Sequence, residues 1–149
     1  MAKRKMNFLE IYNIPFSDCN IVSSDGKPSQ IFEVNTTATL EWNLFNFRNG
    51  LEFFNIVYTK DKTNIEIVIA SAQIYSNNET TPLGYSPKDN PFDQNRISGS
   101  LNIINGNGTV ILELKNLQYD EDGVFALKSF VKFKDEFGIT VKVQGKFVE

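Results

Sequence analysis

Few residues in this 149-residue chain could do chemistry, and their spacing argues against catalysis. There is no histidine, which removes Ser-His-Asp and Cys-His arrangements and any histidine-containing zinc site. The single cysteine, Cys19, can form no internal disulfide and has no histidine to activate it, so it reads as a small buried or edge residue. Asp120, Glu121 and Asp122 are the densest acids, but three in a row lack the alternating ligand spacing of a calcium loop. They suit a tight turn held by one salt bridge. "GNGT" (106–109) has two close glycines, yet no helix follows to cradle a phosphate, and it reads as part of a hairpin turn. The expectation is a protein that is not an enzyme and uses no metal or cofactor. Three sequons, Asn35, Asn78 and Asn107, are possible glycosylation sites in expected loops or strand ends. A chain this rich in Asn, Ser and Thr carries sequons by composition alone.

The elements that would position these residues are strands. Aromatics reach 13% with thirteen Phe, and Asn, Gly, Ser and Thr crowd the gaps between apolar runs, which favours β structure. The runs are "NFLEIYNI", "CNIVSS", "SQIFEVN", "TATLEWNLF", "FFNIVYTK", "NIEIVIASAQIY", "RISGSLNII", "TVILELKNL", "GVFALKSFVKF" and "ITVKVQGKFVE". In "TATLEWNLF" the alternation is clean: Ala38, Leu40, Trp42 and Leu44 share one face. Residues 76–95 hold three of the five prolines and read as a long exposed loop. Eight to ten short strands without a helix predict an antiparallel sandwich or barrel, as one domain over 1–149. The net charge of −3, with no basic stripe, gives nucleic-acid binding little support. No run approaches the roughly 20 apolar residues that span a bilayer, and "MAKRKMNFLEIYN" lacks the apolar core of a signal peptide.

The order of motifs resembles an immunoglobulin domain of the variable type over roughly residues 30–145. "RISGS" is similar to the start of the family's strand D, and Leu112, Leu114 and Leu117 to the leucines of strand E. "EDGVFAL" resembles the D-x-G-x-Y-x-C corner, with Glu121, Gly123, Phe125 and Leu127 in its four slots. "FGIT" (137–140) resembles the start of strand G. The resemblance implies an all-β Greek-key sandwich and a salt bridge from Arg96 to Glu121 or to a neighbouring acid. It also implies a departure: Trp42 and Leu127 stand where the family's paired cysteines would, and Tyr58 where its core tryptophan would. A lost disulfide costs about 2–5 kcal/mol. A buried Trp and Leu contribute on the order of 3–5 kcal/mol, enough to offset it. Phe125, in place of the corner tyrosine, gives up a hydroxyl hydrogen bond. The expected core is Leu40, Trp42, Tyr58, Leu112, Leu114, Phe125 and Leu127. Missing cysteines on an Asn-rich background further resemble the membrane-distal domains of cnidarian (hydrozoan) allorecognition proteins.

The resemblance implies binding through the exposed face of the sheet formed by strands G, F, C and C′. Alternation assigns Asn55, Val57, Thr59, Lys128, Phe130 and Lys132 to that face. On "IEIVIA" either parity exposes aliphatic groups: Glu66 and Val68, or Ile65, Ile67 and Ile69. Ile67 and Ile69 are taken as the binding residues. A bulge, or residues 76–95 folding over it, would instead bury Phe130. The implied role is cell-surface recognition or adhesion in self/non-self discrimination, outside the cell and tethered through something beyond these residues. The partner would be a protein, the same or a related one, through homophilic binding. Alternatives are a heterophilic receptor domain or an intracellular or virion structural sandwich.

Overall fold

The computed structural model describes residues 20–45, 51–75, 77, 79–104, 106–130 and 135–145. The expected strand at 7–14, Cys19, Asn78 and Lys132 lie outside the described residues. Ten strands are described: β1 (Asn20–Ser23), β2 (Ser29–Glu33), β3 (Ala38–Phe45), β4 (Glu52–Lys60) and β5 (Glu66–Ile74), then β6 (Gly84–Tyr85), β7 (Ile97–Ile104), β8 (Asn107–Leu114), β9 (Gly123–Ser129) and β10 (Glu136–Gln144). A 3-10 turn at Gln94–Arg96 precedes β7.

The strands form two sheets, β1-β3-β8-β7 and β2-β10-β9-β4-β5-β6. Every pairing is antiparallel except β2 with β10. Crossing from β3 to β4 and back between sheets gives the Greek-key order, and β5 and β6 extend the second sheet beyond β4 as in the variable type. The fold is therefore an immunoglobulin-like β-sandwich of that type.

The alternation in β3 is realised as read: Ala38, Leu40, Trp42 and Leu44 are buried, and their neighbours are not. Trp42 and Leu127 are fully buried in one core with Leu40, Leu112, Leu114, Tyr58 and Phe125. The Trp42 indole N–H also crosses between sheets, donating to the Phe137 carbonyl at 2.9 Å. Phe137 is paired with Leu127, so the bond anchors the indole beside that leucine. Apolar area and one directed bond thus join the sheets at this point.

At the opposite end of β9 the acidic turn divides its work. Arg96 meets Glu121 through two bonds, 2.6 Å from Nη2 and 2.9 Å from Nη1, and both side chains are largely shielded. Its remaining donors reach the carbonyls of Lys115 and Asn116. Glu121 hydrogen bonding raises the Arg96 pKa above its ordinary value. Asp122 accepts from the Val143 N–H, while Asp120 makes a looser 3.8 Å pair with Lys60. Phe125 has no hydroxyl, but Tyr58 lies directly opposite it on β4 and donates to the Asp122 carbonyl at 3.1 Å. A corner hydrogen bond is therefore present, supplied from the neighbouring strand.

Residues 76–95 depart from the reading as a long exposed loop. β6 pairs with β5, Thr80 bridges Ile74, and Phe92 is buried against Tyr58 and Phe125 with centroids 5.0 and 6.0 Å away. The Arg96 guanidinium lies 5.6 Å from the Phe92 ring centre. Asn90 orders the approach, donating to the carbonyls of Ile69 and Ser86 and accepting from the Phe92 N–H.

Candidate recognition surface

The outward face of the six-stranded sheet follows from which residues turn in. On β4, Phe54, Ile56 and Tyr58 are core, leaving Phe53, Asn55, Val57 and Thr59 outward. On β9, Phe125 and Leu127 are core, leaving Val124, Ala126 and Lys128, with Phe130 continuing the row just past the strand. On β5 the pairing slips. Ile56 opposes Ala70 while Val57 opposes Val68, so Ile69 is an extra residue at a bulge.

That bulge corrects two expected binding residues. Ile69 is completely buried, and Ile67 packs on the core opposite Tyr58. With one residue inserted, inward positions run Ile67, Ile69, then Ala70, Ala72 and Ile74. The outward residues of β5 are therefore Glu66, Val68, Ser71 and Gln73, the other of the two parities.

Val57 needs a second correction. It points outward but is only 5% exposed. Lys128 sits opposite Asn55 and Glu66 opposite Thr59, on the strands flanking β4. Their 3.2 Å ion pair must therefore cross β4 diagonally, over Val57. Lys128 also lies 3.7 Å from Glu136 on β10. The middle of the face is thus roofed by charge, with Asn55 and Thr59 half-buried at its margins.

Phe130, which alternation places outward unless a bulge or residues 76–95 cover it, is 45% exposed. Its aromatic neighbour is Phe53, the next outward residue of β4, at 40%. The Phe130 N–H donates to the Phe53 carbonyl and to Glu52 Oε1, each at 3.2 Å. The buried Glu52 carboxylate also accepts from the Phe53 N–H at 3.0 Å, which fixes both backbones where the rings emerge. Leu51 precedes β4 and Tyr75 follows β5, so both fall at the same end, and both are exposed. Phe45 closes β3 and Ile104 closes β7 at this end of the other sheet. Six of the nine exposed large apolar residues among those described therefore gather at one end of the sandwich. Beside Phe130 a shallow recess of about 300 Å³ is lined by Lys128, Ser129, Asp135 and Glu136.

Phe53 was readable in the sequence. Once Phe54, Ile56 and Tyr58 are placed inward, alternation puts Phe53 outward beside Asn55. Leu51 and Tyr75 lie just beyond strand ends, where no periodicity applies. Of the sequons, Asn35 and Asn107 have exposed side chains, Asn35 at a positive φ of 66° in the turn before β3.

Among solved structures with this fold, a marsupial T cell receptor superposes with a TM-score of 0.62 at 12% identity. The match covers 88% of this chain and 54% of that one, so the chain spans about half of the receptor chain's length. No family model and no curated protein matches the sequence. The likeness is one of fold.

Proposed function

We propose that this chain is a cell-surface recognition domain that binds protein through the β4–β5–β9 face, and that its partner is a copy of itself or a close relative. The observation that carries this reading is the paired Phe53 and Phe130, 40% and 45% exposed beside Leu51 and Tyr75. Rings held at this exposure by backbone bonds to a buried carboxylate favour association, because covering them removes apolar area from water without refolding the sheet. The Lys128–Glu66 pair beside them supplies the charged rim. Both signs of charge on one face suit a self-complementary contact. Self/non-self discrimination of the hydrozoan kind, an extracellular location and glycans at Asn35, Asn78 or Asn107 complete the proposal. In the same reading, Trp42 and Leu127 stand in for the cross-sheet disulfide.

The test is bead aggregation with the domain coated at high density, where multivalency amplifies weak contacts. Like beads should clump, and Phe53→Asp or Phe130→Asp should strongly reduce clumping while preserving the fold. Dispersal of wild-type beads, at a density where a known weak adhesion domain clumps, overturns homophilic binding in favour of a heterophilic or structural role.

A further inference from the structure

Among the described residues the two sheets have four edge strands, and one differs from the rest. β1 is four residues long, and its Ile21 N–H is taken by Asp135 Oδ2 at 3.0 Å. β6 has only two residues. β2 is five residues long and ends in the charged Glu33. β7 runs for eight residues, "ISGSLNII", with no charge and no proline. Short strands, charges, prolines and bulges are the devices that keep sheet edges from pairing. β7 carries none of them: its pairing with β8 runs from Ile97 to Ile104 without a register shift.

The direction of its free groups can be derived. Lys115 N–H donates to the Arg96 carbonyl at 2.9 Å, immediately before the first pair of the ladder. Antiparallel ladders alternate, so Ser98, Ser100, Asn102 and Ile104 bond to β8, and the N–H and C=O of Leu101 and Ile103 point to the open edge. At Gly99 the Leu83 side chain packs over the face of β7, where an added Cβ would meet it at 2.6 Å, and crowds that half of the strand. Ser100 to Ile104 remain as the usable edge, and Ile104 is 65% exposed.

We propose that β7 is a second, independent contact, at which two copies join edge to edge as antiparallel strands about a two-fold axis at Asn102. Alternation alone also allows an axis at Leu101 or Ile103; centring on Asn102 is the register that uses the whole Ser100–Ile104 edge. It places Leu101 opposite the partner's Ile103, so the outward groups of both strands meet in four backbone hydrogen bonds. Inward, Leu101 and Ile103 extend the core row across the junction. Outward, Ser100 lies opposite the partner's Ile104, and Asn102 opposite its own copy. No charge opposes another, which is what an isologous contact requires. The two β1-β3-β8-β7 sheets become one eight-stranded sheet, leaving the Phe53–Phe130 face free on each copy.

The experiment is sedimentation of the intact chain from micromolar to millimolar concentration, with hydrogen exchange at both extremes. Dimers should form, and the Leu101 and Ile103 amides should exchange more slowly at high concentration than at low. Asn102→Lys sets two lysines opposite each other at an exposed position and should weaken the dimer about tenfold or more. Thr39→Lys, the same charge on the exposed face of interior strand β3, should leave it unchanged. Phe53→Asp should also leave it unchanged, which separates this contact from the face proposed for recognition. A monomer throughout, concentration-independent exchange at Leu101 and Ile103, or a dimer lost in Phe53→Asp and kept in Asn102→Lys overturns the proposal. The exchange measurement uses the wild-type chain, so it decides even if a lysine variant fails to fold.

Discussion

The Arg96 corner and the Phe53–Phe130 end treat the same residue types in opposite ways. At the corner, aromatic rings are buried and polar groups are partnered: Phe92 against Tyr58, Arg96 on Glu121, and the Tyr58 hydroxyl on a carbonyl. At the other end, two phenylalanines of one cross-strand pair stay in water, although a buried glutamate holds their backbones. Both regions are well ordered by local bonds, so exposure at the second does not come from loose structure. The corner stabilises the fold. The exposed end leaves apolar area in water.

Substitutions that damage the corner should therefore cost stability and leave association intact. The largest effect is expected from Phe92→Ala, which removes a 1% exposed ring lodged between Tyr58, Phe125 and the Arg96 guanidinium. A cavity of that kind costs about 3–5 kcal/mol, measurable as a lowered denaturant midpoint. A loss below about 1 kcal/mol would mean that residues 76–95 are not part of the cooperative fold, and that the corner is less saturated than its contacts imply.

Next in size is Glu121→Ala. It strands a guanidinium that is only 16% exposed and removes the acceptor of the Gln118 N–H. Because both partners are partly shielded, a loss of about 2–3 kcal/mol is expected, somewhat below that for a fully buried pair. Arg96→Lys should recover little of the lost stability in its own right. A single ammonium cannot reproduce the two-pronged bond and the two carbonyl contacts together. Equal stability of Arg96→Lys and wild type would show that charge alone sustains the corner.

The corner was the more legible of the two regions, for a physical reason. A packed core constrains residue type at fixed spacing, so Leu112, Leu114, Glu121, Phe125 and Leu127 could be placed by alternation and by likeness to a known order. The strand-C′ assignment failed because "IEIVIA" is apolar at both parities, and its pairing with β4, where Ile67 meets the inward Tyr58, makes the choice. Val57 failed differently: its direction was read correctly, but a diagonal ion pair between strands far apart in sequence covers it. Phe92 was hidden in a proline-rich segment because burial there follows no period. Surface roles depend on register between strands, which local sequence does not encode.

A pH experiment sharpens the contrast further. Burial, with help from Glu121, Asp120, Asp122 and Asp61, pushes the Tyr58 hydroxyl well above the ordinary tyrosine range. The folded state therefore holds the proton where the unfolded chain releases it. Stability should be unaffected by this group below about pH 10 and fall as pH rises beyond it. Tyr58→Phe should remove that alkaline slope, at a cost near neutrality of about 1 kcal/mol for the lost bond to Asp122. If Tyr58→Phe unfolds with base as steeply as wild type, the corner hydroxyl is not the group that senses it.

The smallest effect on stability is expected at the residues proposed for recognition. Phe53→Asp and Phe130→Asp each replace a ring that already spends two-fifths or more of its surface in water. Their backbone bonds to Glu52 and to each other do not depend on the side chain. Changes within about 0.5–1 kcal/mol are expected, together with strongly reduced clumping on beads. A charge at either position would have to be desolvated in the joined state, so association suffers far more than folding. The comparison breaks if these variants melt as early as Phe92→Ala. The exposed rings would then be supporting the sheet, and the apolar end would be one more part of the core's support.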